Sequence, residues 1–288
     1  DHSCQIRIPS TVRTKVQRRV GTRPPTTLIA AAMLAAAFFA LPLLGLIWRA
    51  PWSHSWEYIS NHATLVALRL SVQCSLISTA VAVVLGVPLA WVLARVEFRG
   101  RAIVRALCTL SMVLPPVVGG VALFFALGRR GLVGQWLDHW FGLRLPFTTT
   151  GVVIAQTFVA MPFLIVTVEA AIRALDIKYE DTARTLGASP WYTFRRVTVP
   201  AIRPALVAGA VLAWARALGE FGATITFAGN FPSTTQTLPL AVYQSLEVNP
   251  EEAVIISLLM VGLSFAVLVG LRDRWMSRIG EGLGRGAV

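Results

Sequence analysis

Arg216 and Glu220 stand four residues apart inside a run, 204–228, that is otherwise apolar or small. At that spacing the two charges share one helical face. Either one would be costly facing hydrocarbon, so each must meet protein, water or the other. Two chemistries remain open: a buried ion pair that fixes helix register, or a gate on a route for an anion. Gly219, Gly222 and Ala223 keep the same face small enough for another backbone to approach, and Thr224 adds a hydroxyl to this pathway set. A second candidate is Leu114-Pro115-Pro116-Val117-Val118-Gly119-Gly120. Its prolines delete helix hydrogen bonds and its glycines admit close contact, so a helix should bend or break there. A packing kink and the wall of a transport route both account for it.

The third grouping is a polar island at 179–200, YEDTARTLGASPWYTFRRVTVP. Residues 178–186 read as a short helix that Gly187 can end in the left-handed conformation. A second helix restarts at once, with Ser189 as N-cap and Pro190 at the first helical position. It carries Trp191, Tyr192 and Phe194, then Arg195 and Arg196. Aromatics and arginines on a short polar helix suit insertion into a partner's groove; lying on lipid headgroups is the other reading.

Enzyme chemistry is hard to place. No G-x-x-x-x-G-K-[ST] stretch occurs, so no P-loop can cradle a nucleotide's phosphates. The four histidines, at 2, 54, 62 and 139, are scattered and give no metal-ligand spacing. Cys4, Cys74 and Cys108 form no disulfide framework. No nucleophile–base constellation stands out.

The island's spacing carries a resemblance. From Asp181 the chain reads Asp-Thr-Ala, three residues, Gly187, nine residues, Val197, one residue, Val199-Pro200. This resembles the signature of the membrane subunits of ATP-binding-cassette (ABC) importers: Glu-Ala-Ala, three residues, Gly, nine residues, Ile, one residue, Leu-Pro. Asp181 and Thr182 stand for Glu and Ala, and valines replace Ile and Leu. Glu180, one residue earlier, is the candidate for the longer carboxylate. The run 215–230, ARALGEFGATITFAGN, looks like the molybdate permease branch of that family. Sulfate permeases carry a related Gly-Glu-Phe/Tyr-Gly segment, and the Leu-Pro-Pro-Val-Val-Gly-Gly stretch resembles both. The likeness runs from about residue 40 onward.

The resemblance implies an all-α membrane protein with the type I ABC importer permease fold. It implies a cytoplasmic coupling-helix loop at about 175–203 that sits in a cleft on a separate ATPase subunit. Glu180, Asp181, Ala183, Gly187, Ala188, Trp191, Phe194, Arg195 and Pro200 are its coupling candidates. Arg216, Gly219, Glu220, Gly222 and Thr224 are pathway or gate candidates, and Pro115, Pro116, Gly119 and Gly120 mark the helix break. The chain itself would hold no cofactor or metal, ATP and magnesium being used by the partner. Implied partners are a second copy of the permease, two cytosolic ATPase subunits, an extracytoplasmic molybdate-binding protein and membrane lipid. Molybdate is the implied substrate, with tungstate, sulfate and thiosulfate as alternatives. An ion-coupled carrier is the rival class, but the spans offer it only Glu169 and Glu220 as acids and show no inverted repeat.

Composition fixes the elements that must position these groups. Of 288 residues 55% are hydrophobic and 14% charged, too few charges for a soluble domain. Six apolar segments emerge, at about 27–48, 64–94, 103–127, 151–174, 203–228 and 252–271. The first follows basic residues as a signal peptide would, yet it is long enough to span and lacks a small-residue cleavage site; we read it as a retained helix. Lys and Arg settle the sidedness. The tail, the loops 95–105 and 173–203, and the stretch from Arg272 hold twenty, against four in the alternate loops. Both termini and the island are therefore expected in the cytoplasm of a bacterial inner-membrane protein. The net charge of +12 is a topology signal, not a nucleic-acid patch. The expected organisation is a basic tail at 1–25, a six-helix domain at 26–274 and a cytoplasmic tail at 275–288.

Overall fold

A computed structural model describes residues 26–284, and every regular element among them is helical. The basic tail at 1–25 lies outside the described residues. The chain divides into two units between Trp48 and Arg49. The first holds α1 (Thr26–Arg49), 24 apolar residues containing Pro42. At 1.5 Å per residue it runs about 36 Å, more than the hydrocarbon thickness of a bilayer.

The second unit opens with α2 (Ser55–Ser60) and α3 (His62–Arg95). Asn61 starts α3 by accepting a hydrogen bond from the Ala63 backbone N–H. The 34 residues of α3 extend about 51 Å, so the helix must project beyond a hydrocarbon core of about 30 Å. Next come α4 (Arg101–Val113), α5 (Pro116–Leu127), α6 (Gly134–Phe141) and α7 (Thr149–Ala174). The island supplies α8 (Lys178–Thr185), α9 (Pro190–Thr193), a π-turn at 194–198 and α10 (Val199–Ala201). Then follow α11 (Arg203–Leu218), α12 (Gly222–Phe227), α13 (Leu238–Val248) and α14 (Pro250–Gly284).

The core lies where α3, α7 and α11 pack together. Ala82, Ala90 and Leu93 meet Ala160, Leu164, Ile165 and Val168, with Ala213 and Ala217 from α11. Small side chains matter because lipid gives helices no hydrophobic drive to associate, leaving close packing to do so. Alongside runs a buried polar seam, with Ser71, Ser75 and Ser78 on α3. Ser78 accepts a hydrogen bond from Thr157 of α7 at 3.1 Å, and Ser71 accepts one from the Leu238 N–H at 2.6 Å. The second bond ties α3 to the first turn of α13.

Four of the six apolar segments contain single helices long and apolar enough to cross a membrane. The other two are broken. The segment at 103–127 stops at Val113, passes extended Leu114 and Pro115, and restarts at Pro116 as α5. The segment at 203–228 is interrupted at 219–221, where sequence alone suggested one unbroken helix. Glycine at 219 and 222 lowers the helix propensity there. The last helix, in turn, runs from Pro250 to Gly284, with its apolar part at Pro250–Val267.

Candidate coupling loop and membrane pathway

The island forms through local rules. Gly187 adopts φ +85° with open space about its Cα, closing α8 in the left-handed region. Ser189 caps α9 by accepting from the Tyr192 N–H at 3.3 Å, and Pro190 takes the first helical position. Beyond α9 the π-turn widens the helix, the Val199 N–H reaching the Phe194 carbonyl. A 77° bend then separates Pro190–Ala201 from α11.

The coupling candidates divide into an outward and an inward set. Asp181, Gly187, Trp191, Arg195 and Pro200 are exposed, Trp191 to 68%. Ala183, Gly187 and Ala188 line a shallow hollow with Leu186, Ser189 and Tyr192. Phe194 lies beneath the exposed Trp191, stacking on it at 5.6 Å, meeting the Trp91 edge at 5.9 Å and packing against the main core. Glu180 is 1% exposed. Its carboxylate pairs with Arg95 at 3.1 Å and accepts from the Thr198 hydroxyl at 2.7 Å. It braces the loop against the end of α3.

That end of α3 is itself clamped. The Leu93 carbonyl accepts from Arg101, Arg105 and Arg173, the Ala94 carbonyl accepts from Arg101, and Arg95 donates to the Leu175 carbonyl. Glu169 of α7 lies between Arg105 and Arg173 at 2.7 and 2.8 Å. Guanidinium groups here satisfy helix C-terminal carbonyls that would otherwise lack partners.

The two remaining candidate sets come together. α5 crosses α12 so closely that a Cβ on Gly120 would overlap the Thr226 hydroxyl and lie 2.8 Å from the Ala223 carbonyl. A Cβ on Gly222 would come within 2.9 Å of Pro116. Pro116 thus sits against Gly222 and Gly120 against Ala223 and Thr226, while Gly119 faces Phe158 and Pro115 caps α5. Arg216 pairs with Glu220 at 2.6 Å across the helix interruption. The second Glu220 oxygen accepts from the Ala223 N–H at 2.8 Å, so the carboxylate holds the first turn of α12. Thr224 is fully buried, its hydroxyl without a partner among the described residues. Gly219 is looser, since a Cβ there would meet nothing nearer than the Ala215 carbonyl at 3.7 Å.

Sequence reasoning missed Arg95, Thr198 and Gln156. Arg95 counted only as loop charge, and nothing local pairs it with Glu180. Gln156 of α7 is fully buried, and neither amide atom has a partner among the described residues. That is a costly state inside an apolar span, and a lone amide among Val, Ile and Ala could have flagged it. Outside the core, Asp138 of α6 bridges Arg129 at 2.9 Å and Arg144 at 3.1 Å. The hydrogen bonds from Arg144 and Arg129 hold its carboxyl below the usual range.

Residues 82–280 match the family described as the binding-protein-dependent transport system inner membrane component. The molybdenum transport system permease protein ModB of Mycobacterium tuberculosis is 45% identical over 257 residues, 87% of this chain and 96% of that one. The Escherichia coli K12 protein of the same name is 38% identical over 213 residues, 74% and 93% of the two chains. The E. coli K12 sulfate transport system permease protein CysT is 35% identical over 210 residues, 72% and 76%. In fold, the chain resembles a bacterial ABC transporter solved as an importer of alginate, with a TM-score of 0.72 over 88% of this chain and 94% of the other at 17% identity. The chain belongs to the binding-protein-dependent transport system inner membrane component family.

Proposed function

We propose that this chain is the membrane-spanning permease of an ABC importer that moves molybdate into the cell. The observation that carries the reading is the 45% identity, over nearly the whole length, to a permease named for molybdenum transport. The chain works with a second copy of itself, two cytosolic ATPase subunits and an extracytoplasmic molybdate-binding protein. It crosses the bacterial inner membrane six times, each broken helix pair counting as one crossing, with both termini in the cytoplasm. The four-to-twenty division of Lys and Arg supports that orientation.

In this mechanism the outward face of the loop, with Trp191, Tyr192, Arg195 and the hollow beside Gly187, rests on the ATPase. ATP hydrolysis belongs to that partner. Closure of the ATPases shifts the loop, and the bend at 198–203 conveys the shift to α11. Arg203 and Pro204 follow Pro200 closely enough to leave little slack. The α5–α12 crossing, with Arg216–Glu220 holding α12 in place, is the element that opens and shuts the route. Rigid elements rocking about a fixed site suffice for alternating access.

Uptake of labelled molybdate into vesicles bearing the full complex, with and without ATP and with sulfate as competitor, tests this reading. ATP-dependent molybdate uptake that excess sulfate leaves intact is expected. Sulfate displacing molybdate at equal concentration would turn the assignment to the sulfate branch, which the 35% identity to a sulfate permease makes the second reading. Uptake without ATP would overturn both.

A further inference from the structure

Because Glu180 lies inside the fold, where no partner protein can reach it, it cannot act as a docking contact, in contrast to exposed Asp181 beside it. We infer that Glu180, Arg95 and Thr198 form a brace through which the loop drives α3 as well as α11. The inference deepens the permease reading and rests on it. One carboxylate joins three elements: α8 that carries it, α3 through Arg95 at 3.1 Å, and the π-turn through Thr198 at 2.7 Å. Arg95 also donates to the Leu175 carbonyl at 3.1 Å, and the Trp91–Phe194 edge contact adds a second tie between α3 and the π-turn.

A buried charge pair of this kind cannot stretch without cost. Separating the partners would leave Glu180, 1% exposed, without a counter-charge. The loop and the end of α3 therefore move together. The arginines on the Leu93 and Ala94 carbonyls, with Glu169 between two of them, fasten that end to α4 and α7. At its far end the same helix contacts α13 through Ser71 and Leu238. The 34 residues of α3 run as one continuous helix, with Pro88 inside it, from the loop to the opposite side, and through it a displacement at Glu180 is expected to reach α13. The route through Pro200 moves α11; the brace moves α3. Both arms then act on α7, which packs against each.

Arg95 is in this account a positioning residue, and its test reads coupling, not fold. The full complex of permease, ATPase and binding protein is placed in proteoliposomes, and labelled molybdate uptake and ATP hydrolysis are measured together. Arg95→Ala and Glu180→Ala are expected to lower the molybdate carried per ATP hydrolysed about tenfold, within the usual range of coupling between sites. The exchanged pair Arg95→Glu with Glu180→Arg is expected to recover most of the ratio. Thr198→Val, which removes one hydrogen bond and keeps the volume, is expected to lower it severalfold. An unchanged ratio in the single variants would overturn the inference, as would an exchanged pair no better than either. Loss of the ATPase from the Arg95→Ala complex would overturn it too, by assigning the pair to docking. Failure of the unaltered complex to show ATP-driven uptake would remove the permease reading and the brace with it.

Discussion

At the scale of single residues, glycine is the clearest case of sequence meaning different things at different places. Gly120, Gly219 and Gly222 all read as small residues that let helices approach, and only two of them are needed for that purpose. Gly120 and Gly222 lie where α5 and α12 touch, and a Cβ at either would meet backbone or Pro116 inside 3 Å. Gly219 ends α11 with open space around it and an ordinary backbone conformation, φ −86°. Gly120→Ala should therefore destabilise the protein by about 1–3 kcal/mol through overpacking. Gly219→Ala should change stability by less than about 1 kcal/mol, with a small gain from the stiffer unfolded chain. Thermal unfolding in detergent checks the pair, and equal losses would mean that the crossing is loose. The Arg216–Glu220 contact was legible from its spacing, because the chain keeps its helical turn through Gly219 and Glu220, whose N–H groups still reach the Ala215 and Ala217 carbonyls. The bond from Glu220 to the Ala223 N–H was not, since apolar continuity through 203–228 concealed the interruption it caps.

At the scale of elements, the loop was legible where its order is local. Gly187, Ser189 and Pro190 act within four residues of themselves, and so their roles can be read from neighbours alone. The brace was not legible, since Arg95 and Glu180 belong to distant elements and any of several arginines could have served. Phe194 lay between these cases. Trp191 and Phe194, three residues apart, share a helix side and stack on each other, so their spacing showed the contact but not that one ring would be exposed and the other packed inward. The division sets opposite expectations for two truncations. Trp191→Ala removes an exposed ring whose only intramolecular ring partner among the described residues is Phe194, and should cost no more than about 1 kcal/mol of stability while weakening association with the ATPase about tenfold, as loss of an aromatic anchor does. Phe194→Ala empties a site against Trp91 and the core and should cost about 3 kcal/mol of stability. Melting curves alongside ATPase co-purification separate the two, and matching melting losses would place Trp191 in the fold.

At the scale of the whole molecule, charge is sorted along the chain. The loop 128–147, extracytoplasmic in the proposed orientation, carries Arg129, Arg130 and Arg144, while no Lys or Arg occurs between 217 and 271, where Glu247, Glu251 and Glu252 lie. Arg129 and Arg144 are held by Asp138, which leaves Arg130 as the cation of that loop with no protein partner among the described residues. A charge of this kind steers an approaching protein more than it holds one. Arg130→Glu should therefore slow association of the binding protein several-fold at low ionic strength, with little effect once salt screens the loop. Stopped-flow association across a salt series reads this, and an unaltered rate would reduce Arg130 to a headgroup anchor. The Asp138 clasp should stay intact throughout such work at neutral pH. Its carboxyl is pushed down by Arg144 and Arg129, so its contribution is present above the ordinary carboxylate range and is lost only as pH falls through the lowered value. Binding-protein association measured from pH 8 down to pH 5 should then show no inflection from this group, and one that disappears in Asp138→Asn would mean that the clasp opens far earlier than its two arginines allow.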